Sequence, residues 1–203
     1  MNHAPSHRAG LVAVLLLCLS VSAQAAEFTS PESFLAHHNQ QTARLNQTAM
    51  SILLGWAVLN IGSGTVGHFT TEGETRAFWQ ANAAWNTVNL AIAGFSLYGQ
   101  ASSSPGSWDL ARSLTEGQKM EKLLLFNAGL DVGYLAFGGF LLERGHRTDS
   151  GRLRGWGKSL LVQGGFLLLF DAALWFLNAR LNSQLTARLT PAPNGVGLML
   201  TWP

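Results

Sequence analysis

Four long stretches almost free of charge constrain this chain more than any other feature. Residues 45–71 contain no Asp, Glu, Lys or Arg, and residues 77–108 contain none either. Residues 123–142 carry one charge, Asp131, and residues 159–179 carry one, Asp171. A helix advances about 1.5 Å per residue, so about 20 mainly apolar residues cross a hydrocarbon core about 30 Å thick. The runs therefore predict an all-α polytopic membrane protein, a bundle of four transmembrane helices at about 49–69, 78–99, 123–142 and 159–179. The composition agrees, because 47% of the residues are hydrophobic and 12% charged, against roughly 25% charged in soluble domains. Long apolar runs without strict alternation exclude an outer-membrane barrel.

Outside the bundle the chain divides into three short pieces. Arg8, the apolar run 11–19 and Ser22-Ala23-Gln24-Ala25 have the charged, apolar and small-residue sections of a secretory signal, with cleavage expected after Ala25. Residues 26–48 are expected to form an amphipathic helix at the periplasmic surface. In it Ser30-Pro31-Glu32 supplies an N-cap, a proline at the first helical position and an early acid, and Phe34, His38, Thr42 and Leu45 share one face. Residues 181–203 form a periplasmic tail, where Pro191, Pro193 and Gly195 end the helix and an extended segment follows. Thr71-Glu72-Gly73-Glu74 and Thr115-Glu116-Gly117-Gln118 resemble capping boxes and are expected to open the second and third helices.

Direction follows from the basic residues. Arg144, Arg147, Arg152, Arg154 and Lys158 crowd the connection 143–158, and such clusters stay cytoplasmic. Four crossings then put the mature N-terminus, a loop over 100–122 and the C-terminus in the periplasm, the side to which the export signal also leads. The expected location is the bacterial inner membrane.

The chemistry of the chain concentrates at mid-depth. Asn60, Asn89, Asp131 and Asp171 fall near the centres of their spans. Asn82, Asn86 and Asn89, at i, i+4 and i+7, form one stripe. Asn127 lies one turn before Asp131, while Gln163, Asp171 and Asn178 follow one side of the fourth span. Together Asn60, Asn82, Asn86, Asn89, Asn127, Asp131, Gln163 and Asp171 make a candidate intramembrane polar site. An acid at a helix centre costs about 2.5–3.5 kcal/mol to insert, so something offsets it. One reading is protonated acids that join helices by hydrogen bonds. The other is a proton or cation site serving a small transporter. Leu59-Asn60-Ile61-Gly62 also matches Leu130-Asp131-Val132-Gly133, as two parallel hairpin repeats would.

Other signals are excluded or ordinary. Gly62, Gly64 and Gly67 imitate a dinucleotide fingerprint without a preceding strand, and close helix packing explains them better. The Gly129 and Gly133 pair is read likewise. The tryptophans, Trp56 among them, suit interface anchoring or packing, and His37 and His38 suit a surface. Cys18 is the only cysteine, so no internal disulfide or cysteine metal site exists. No metal or cofactor motif and no Ser, His and Asp assembly is visible, so an enzyme is not expected. The net charge of +2 gives no nucleic-acid footprint. The implied partners are the lipid bilayer and a second copy or another membrane protein.

The stretch Phe78-Trp79-Gln80-Ala81-Asn82-Ala83-Ala84-Trp85-Asn86-Thr87-Val88-Asn89, with Leu59-Asn60-Ile61-Gly62 before it and Asn194-Gly195-Val196-Gly197 after, resembles a family of small uncharacterised bacterial membrane proteins. The resemblance covers the mature chain and implies a signal-bearing four-helix membrane protein, with no activity to carry over.

Overall fold

The computed structural model describes residues 30–191 and 198–200, with side chains for residues 30–189. The expected signal segment, Cys18 and Asn194-Gly195-Val196-Gly197 lie outside these. The described residues form four long helices, α1 (Pro31–Thr70), α2 (Gly73–Ala101), α3 (Leu110–Arg147) and α4 (Gly151–Thr186). One 3-10 turn, Pro105–Ser107, joins α2 to α3, and two three-residue strands, β1 (Leu189–Pro191) and β2 (Leu198–Leu200), pair antiparallel after α4.

Local chemistry sets the helix ends, not always where the sequence suggests. Ser30 caps α1 as expected: its hydroxyl accepts from the Ser33 amide, Ser33 returns a bond to the Ser30 amide, and Pro31 occupies the first turn. From there α1 runs unbroken to Thr70, so the expected surface helix and the first span are one element. The Thr71 box does not form. Its hydroxyl donates instead to the Gly67 carbonyl at 2.6 Å, and Glu72 caps α2 with no side-chain bond. The Thr115 box lies inside a helix, where Thr115 donates to the Ala111 carbonyl. Helix α3 begins earlier, because Asp109 accepts from the Arg112 amide at 2.8 Å and supplies the N-cap. The expected 100–122 loop thus shrinks to residues 102–109, and α3 projects three turns beyond its apolar run.

Helices α1 and α2 form one antiparallel hairpin, α3 and α4 a second, and the hairpins join chiefly through α2 against α4. These two run parallel. At their N-terminal ends Glu74 accepts from Arg154 Nε at 2.6 Å and pairs with Lys158 Nζ at 2.5 Å. Those cations hold the Glu74 carboxyl below its ordinary value of 4.5. Helix α4 is the most enclosed: Phe170 is 1% and Leu174 0% exposed, and both belong to a core with Leu45, Leu53, Trp56, Leu124 and Phe166.

Close approach explains some glycines. At Gly64 an added Cβ would lie 2.8 Å from the Ala83 Cβ, and at Gly67 it would collide with the Trp79 ring. Gly62, Gly129 and Gly133 have nothing within 4 Å, so packing does not account for them.

Among the described residues three helices, α1, α3 and α4, are long and apolar enough to cross a membrane, not the four expected. Helix α2 falls short because Gln80, Asn82, Asn86, Asn89 and Gln100 dilute its hydropathy. Large apolar side chains nevertheless point outward from every helix: Leu59 and Phe69 from α1, Val88, Ile92, Phe95 and Tyr98 from α2, Phe126 and Phe137 from α3, Leu169 and Phe176 from α4.

Candidate functional site

Amides on three helices build the centre of the site. The i, i+4, i+7 stripe turns Asn82, Asn86 and Asn89 of α2 inward, and all three are buried. Across from them α1 presents Trp56 and Asn60, one turn apart, and α4 presents Gln163. Gln163 Nε2 donates to Asn82 Oδ1 and, at 3.3 Å, to Asn60 Oδ1. Its Oε1 accepts from Trp56 Nε1 at 3.0 Å. Asn82 Nδ2 donates to Asn60 Oδ1 at 2.9 Å, and Asn60 Nδ2 folds back onto the Trp56 carbonyl at 2.7 Å. Asn86 donates to the Asn82 carbonyl, and Asn89 Nδ2 to Asn86 Oδ1 at 3.3 Å. A buried amide without partners would lose the free energy of its hydration uncompensated. This closed arrangement removes that cost for three helices at once.

Trp56 was expected as an anchor or packing residue, and the structure assigns it a central position in the core. It is 8% exposed, stacks on Phe166 at a 3.9 Å centroid distance, and fixes Gln163 through its N–H. The acids form a separate pair. Asp131 on α3 and Asp171 on α4 are buried, and their carboxyl groups lie within side-chain hydrogen-bonding range of each other. A hydrogen bond between two carboxyl groups requires a proton on one of them. No Lys, Arg or His pairs with either acid among the described residues. Asp131 Oδ2, shielded from solvent, has no hydrogen-bond partner there. Asn127 is only half-buried and joins neither group. Among the described residues no group of three or more His, Cys, Asp or Glu is placed to hold a metal ion.

The single polar cluster anticipated from the sequence is therefore two: a bonded amide network on α1, α2 and α4, and an acid pair on α3 and α4. A further polar layer lies toward the other end of the bundle. Asn178 Nδ2 donates to Asn46 Oδ1 at 3.1 Å, and Asn182 Nδ2 to Glu121 Oε1 at 2.6 Å. Asn39 Nδ2 donates to the Trp108 carbonyl at 3.2 Å. His38, expected at a surface, is 4% exposed, and its imidazole is pushed down to about 4, by burial first and by the neighbouring His37 second. The spacing of Asn39, Thr42 and Asn46, at i, i+3 and i+7, carried the signal for this layer, as a polar stripe leading into the first span.

No curated protein and no solved structure matches the chain. A family model does match, over residues 52–172, which take in every polar residue of the amide network and the acid pair. On that match, covering more than half of its length, the chain belongs to the family of unknown function DUF6992.

Proposed function

We propose that this chain is a non-enzymatic integral protein of the bacterial inner membrane, with a structural or accessory role, whose polar midplane holds its helices together. The observation that carries this reading is the bonded set Trp56, Asn60, Asn82 and Gln163, in which groups costly to bury satisfy one another across three helices. Helix α2 is proposed to cross with the other three. Its amides face the bundle while Val88, Ile92, Phe95 and Tyr98 face outward, each at least 52% exposed. An average along the helix hides that division, which suits lipid outside and hydrogen bonds inside.

The basic connection between α3 and α4 is then cytoplasmic, the two termini periplasmic, and residues 1–25 the export signal. Partners are lipid and either a second copy or another membrane protein, for which the outward apolar faces are available.

A second reading, a small transporter or a proton- or cation-translocating subunit, is favoured by the acid pair. Two neighbouring carboxyl groups that, among the described residues, pair with no cation and leave one oxygen without a hydrogen-bond partner provide a place for an exchangeable proton. The double variant D131N/D171N separates the readings. Proteoliposomes carrying a pH-sensitive dye report flux, and circular dichroism reports fold. The leading account predicts an intact fold and no flux that the substitution abolishes. Loss of a pH-driven flux with the fold intact replaces it with the second.

A further inference from the structure

The molecule holds a cavity of about 400 Å³ away from both midplane clusters. It is walled by the first turns of α1, the end of α2, the 102–109 connection, the early turns of α3 and Asn182 of α4. That volume lies within the range of small-molecule sites, roughly 300–1,000 Å³. It lies beyond residues 49–69 of α1, at the end of the bundle where α1 begins and α4 ends.

Its chemistry is uniform. The most enclosed lining residues, His38, Asn39, Asn46 and Ser113, carry no charge beyond what a histidine can acquire, and burial keeps His38 neutral. Neutral imidazole, amides and hydroxyls each combine donors with acceptors. His38 is 4% exposed and lies stacked near Phe34, with ring centroids 6.4 Å apart. Thr42 and Gln100 also line the cavity, and each has an oxygen without a hydrogen-bond partner there. The wall contains one large aromatic ring, Trp108, with the Arg112 guanidinium 4.9 Å from its centroid. Charge is confined to the margin. Arg44 is exposed, and Glu116 is already paired with Lys119 at 2.9 Å.

We propose that this cavity is a binding site for a neutral, hydroxyl-rich ring, a sugar unit, held by His38, Asn39, Asn46 and Gln100 against the Trp108 ring. Hydroxyl groups donate and accept as amides and imidazole do, and the apolar face of a sugar ring suits an indole. An ionic ligand would need a buried counter-charge, which the enclosed wall does not supply. The sugar can come free from solution or as the head group of a glycolipid, since the cavity lies beyond the apolar stretch of α1.

The test uses the full chain purified in a detergent without sugar head groups, because maltosides and glucosides would compete. Calorimetry is run against glucose, N-acetylglucosamine and trehalose, against nanodiscs containing monoglucosyl diacylglycerol, and against inorganic phosphate and glycine betaine as ionic and zwitterionic controls. Saturable binding of a sugar with a Kd below about 1 mM, weakened at least tenfold in N39A or Q100A with unchanged circular dichroism, supports the site. Binding to free sugar assigns a soluble ligand, and binding to the glycolipid discs alone assigns a head group. No saturable binding to any sugar or glycolipid overturns the proposal. So does affinity unchanged in both variants, or tighter binding of phosphate or betaine. H38F, which fills the space without adding charge, abolishes binding if the site is correct and leaves it unchanged if the ligand sits elsewhere.

Discussion

Among single residues, Gln163 ties α4 to both α1 and α2. Its amide receives one N–H, from Trp56, and donates to oxygens on Asn60 and Asn82. Replacing it with leucine keeps the volume and leaves Trp56 Nε1 and Asn82 Oδ1 unpaired, so Q163L should lower stability by roughly 2–4 kcal/mol, measured by reversible unfolding in mixed detergent. His38 makes a different prediction. Its imidazole is held at about 4 in the folded chain against an ordinary 6.5, so below 6.5 the unfolded chain binds the extra proton. Stability is therefore fully present above pH 6.5 and falls as the pH drops toward 4. Thermal unfolding followed between pH 7 and 4 should show that slope in the wild type, and H38Q should flatten it. The sequence exposed Gln163 as polar in a span, but not its partners: Trp56 reads as an ordinary aromatic, and only the path of α1 past α4 brings it to Gln163. For His38, the pair of adjacent histidines suggested a surface, and the burial of one came from α1 continuing into the bundle rather than stopping at it.

At the scale of elements, the expected spans 49–69, 78–99, 123–142 and 159–179 lie inside the four helices that form, because length and lack of charge act locally. Helix ends were less legible. Capping is a competition among nearby hydroxyls and acids, and Asp109 begins α3 well before Thr115, whose hydroxyl then serves the Ala111 carbonyl. Glycines were legible only as a class. Gly62 and Gly67 belong to the same short stretch, yet Gly67 abuts Trp79 while Gly62 faces open space. Substituting leucine at each separates contact from composition: G67L should cost about 1–3 kcal/mol through overpacking, whereas G62L should be neutral or slightly stabilising. Unfolding midpoints of the two variants check this, and equal effects would mean that the α1–α2 approach at Trp79 is not what places these helices. The acid pair depends on such an approach too: the sequence grouped Asp131 and Asp171 by depth in one polar site, and the antiparallel packing of α3 and α4 brings them to each other apart from the amides.

Among the described residues, amides and acids are buried beside an apolar core while large apolar side chains also cover the outward faces of all four helices, unlike a water-soluble bundle. That division unites Asn82, Asn86 and Asn89, buried on one face of α2, with Phe95 and Tyr98, more than three-quarters exposed on the rest of it. Average hydropathy sets α2 apart from the other three helices, whereas the direction of its side chains groups it with them. The central claim is accordingly that α2 crosses the membrane. Its two ends decide the matter. In a cysteine-free background, single cysteines at Glu72 and at Ser104 are exposed to a membrane-impermeant maleimide in intact cells and again after permeabilisation. The account predicts that Ser104→Cys labels in intact cells and Glu72→Cys only after permeabilisation. Labelling of both ends from the same side would contradict it.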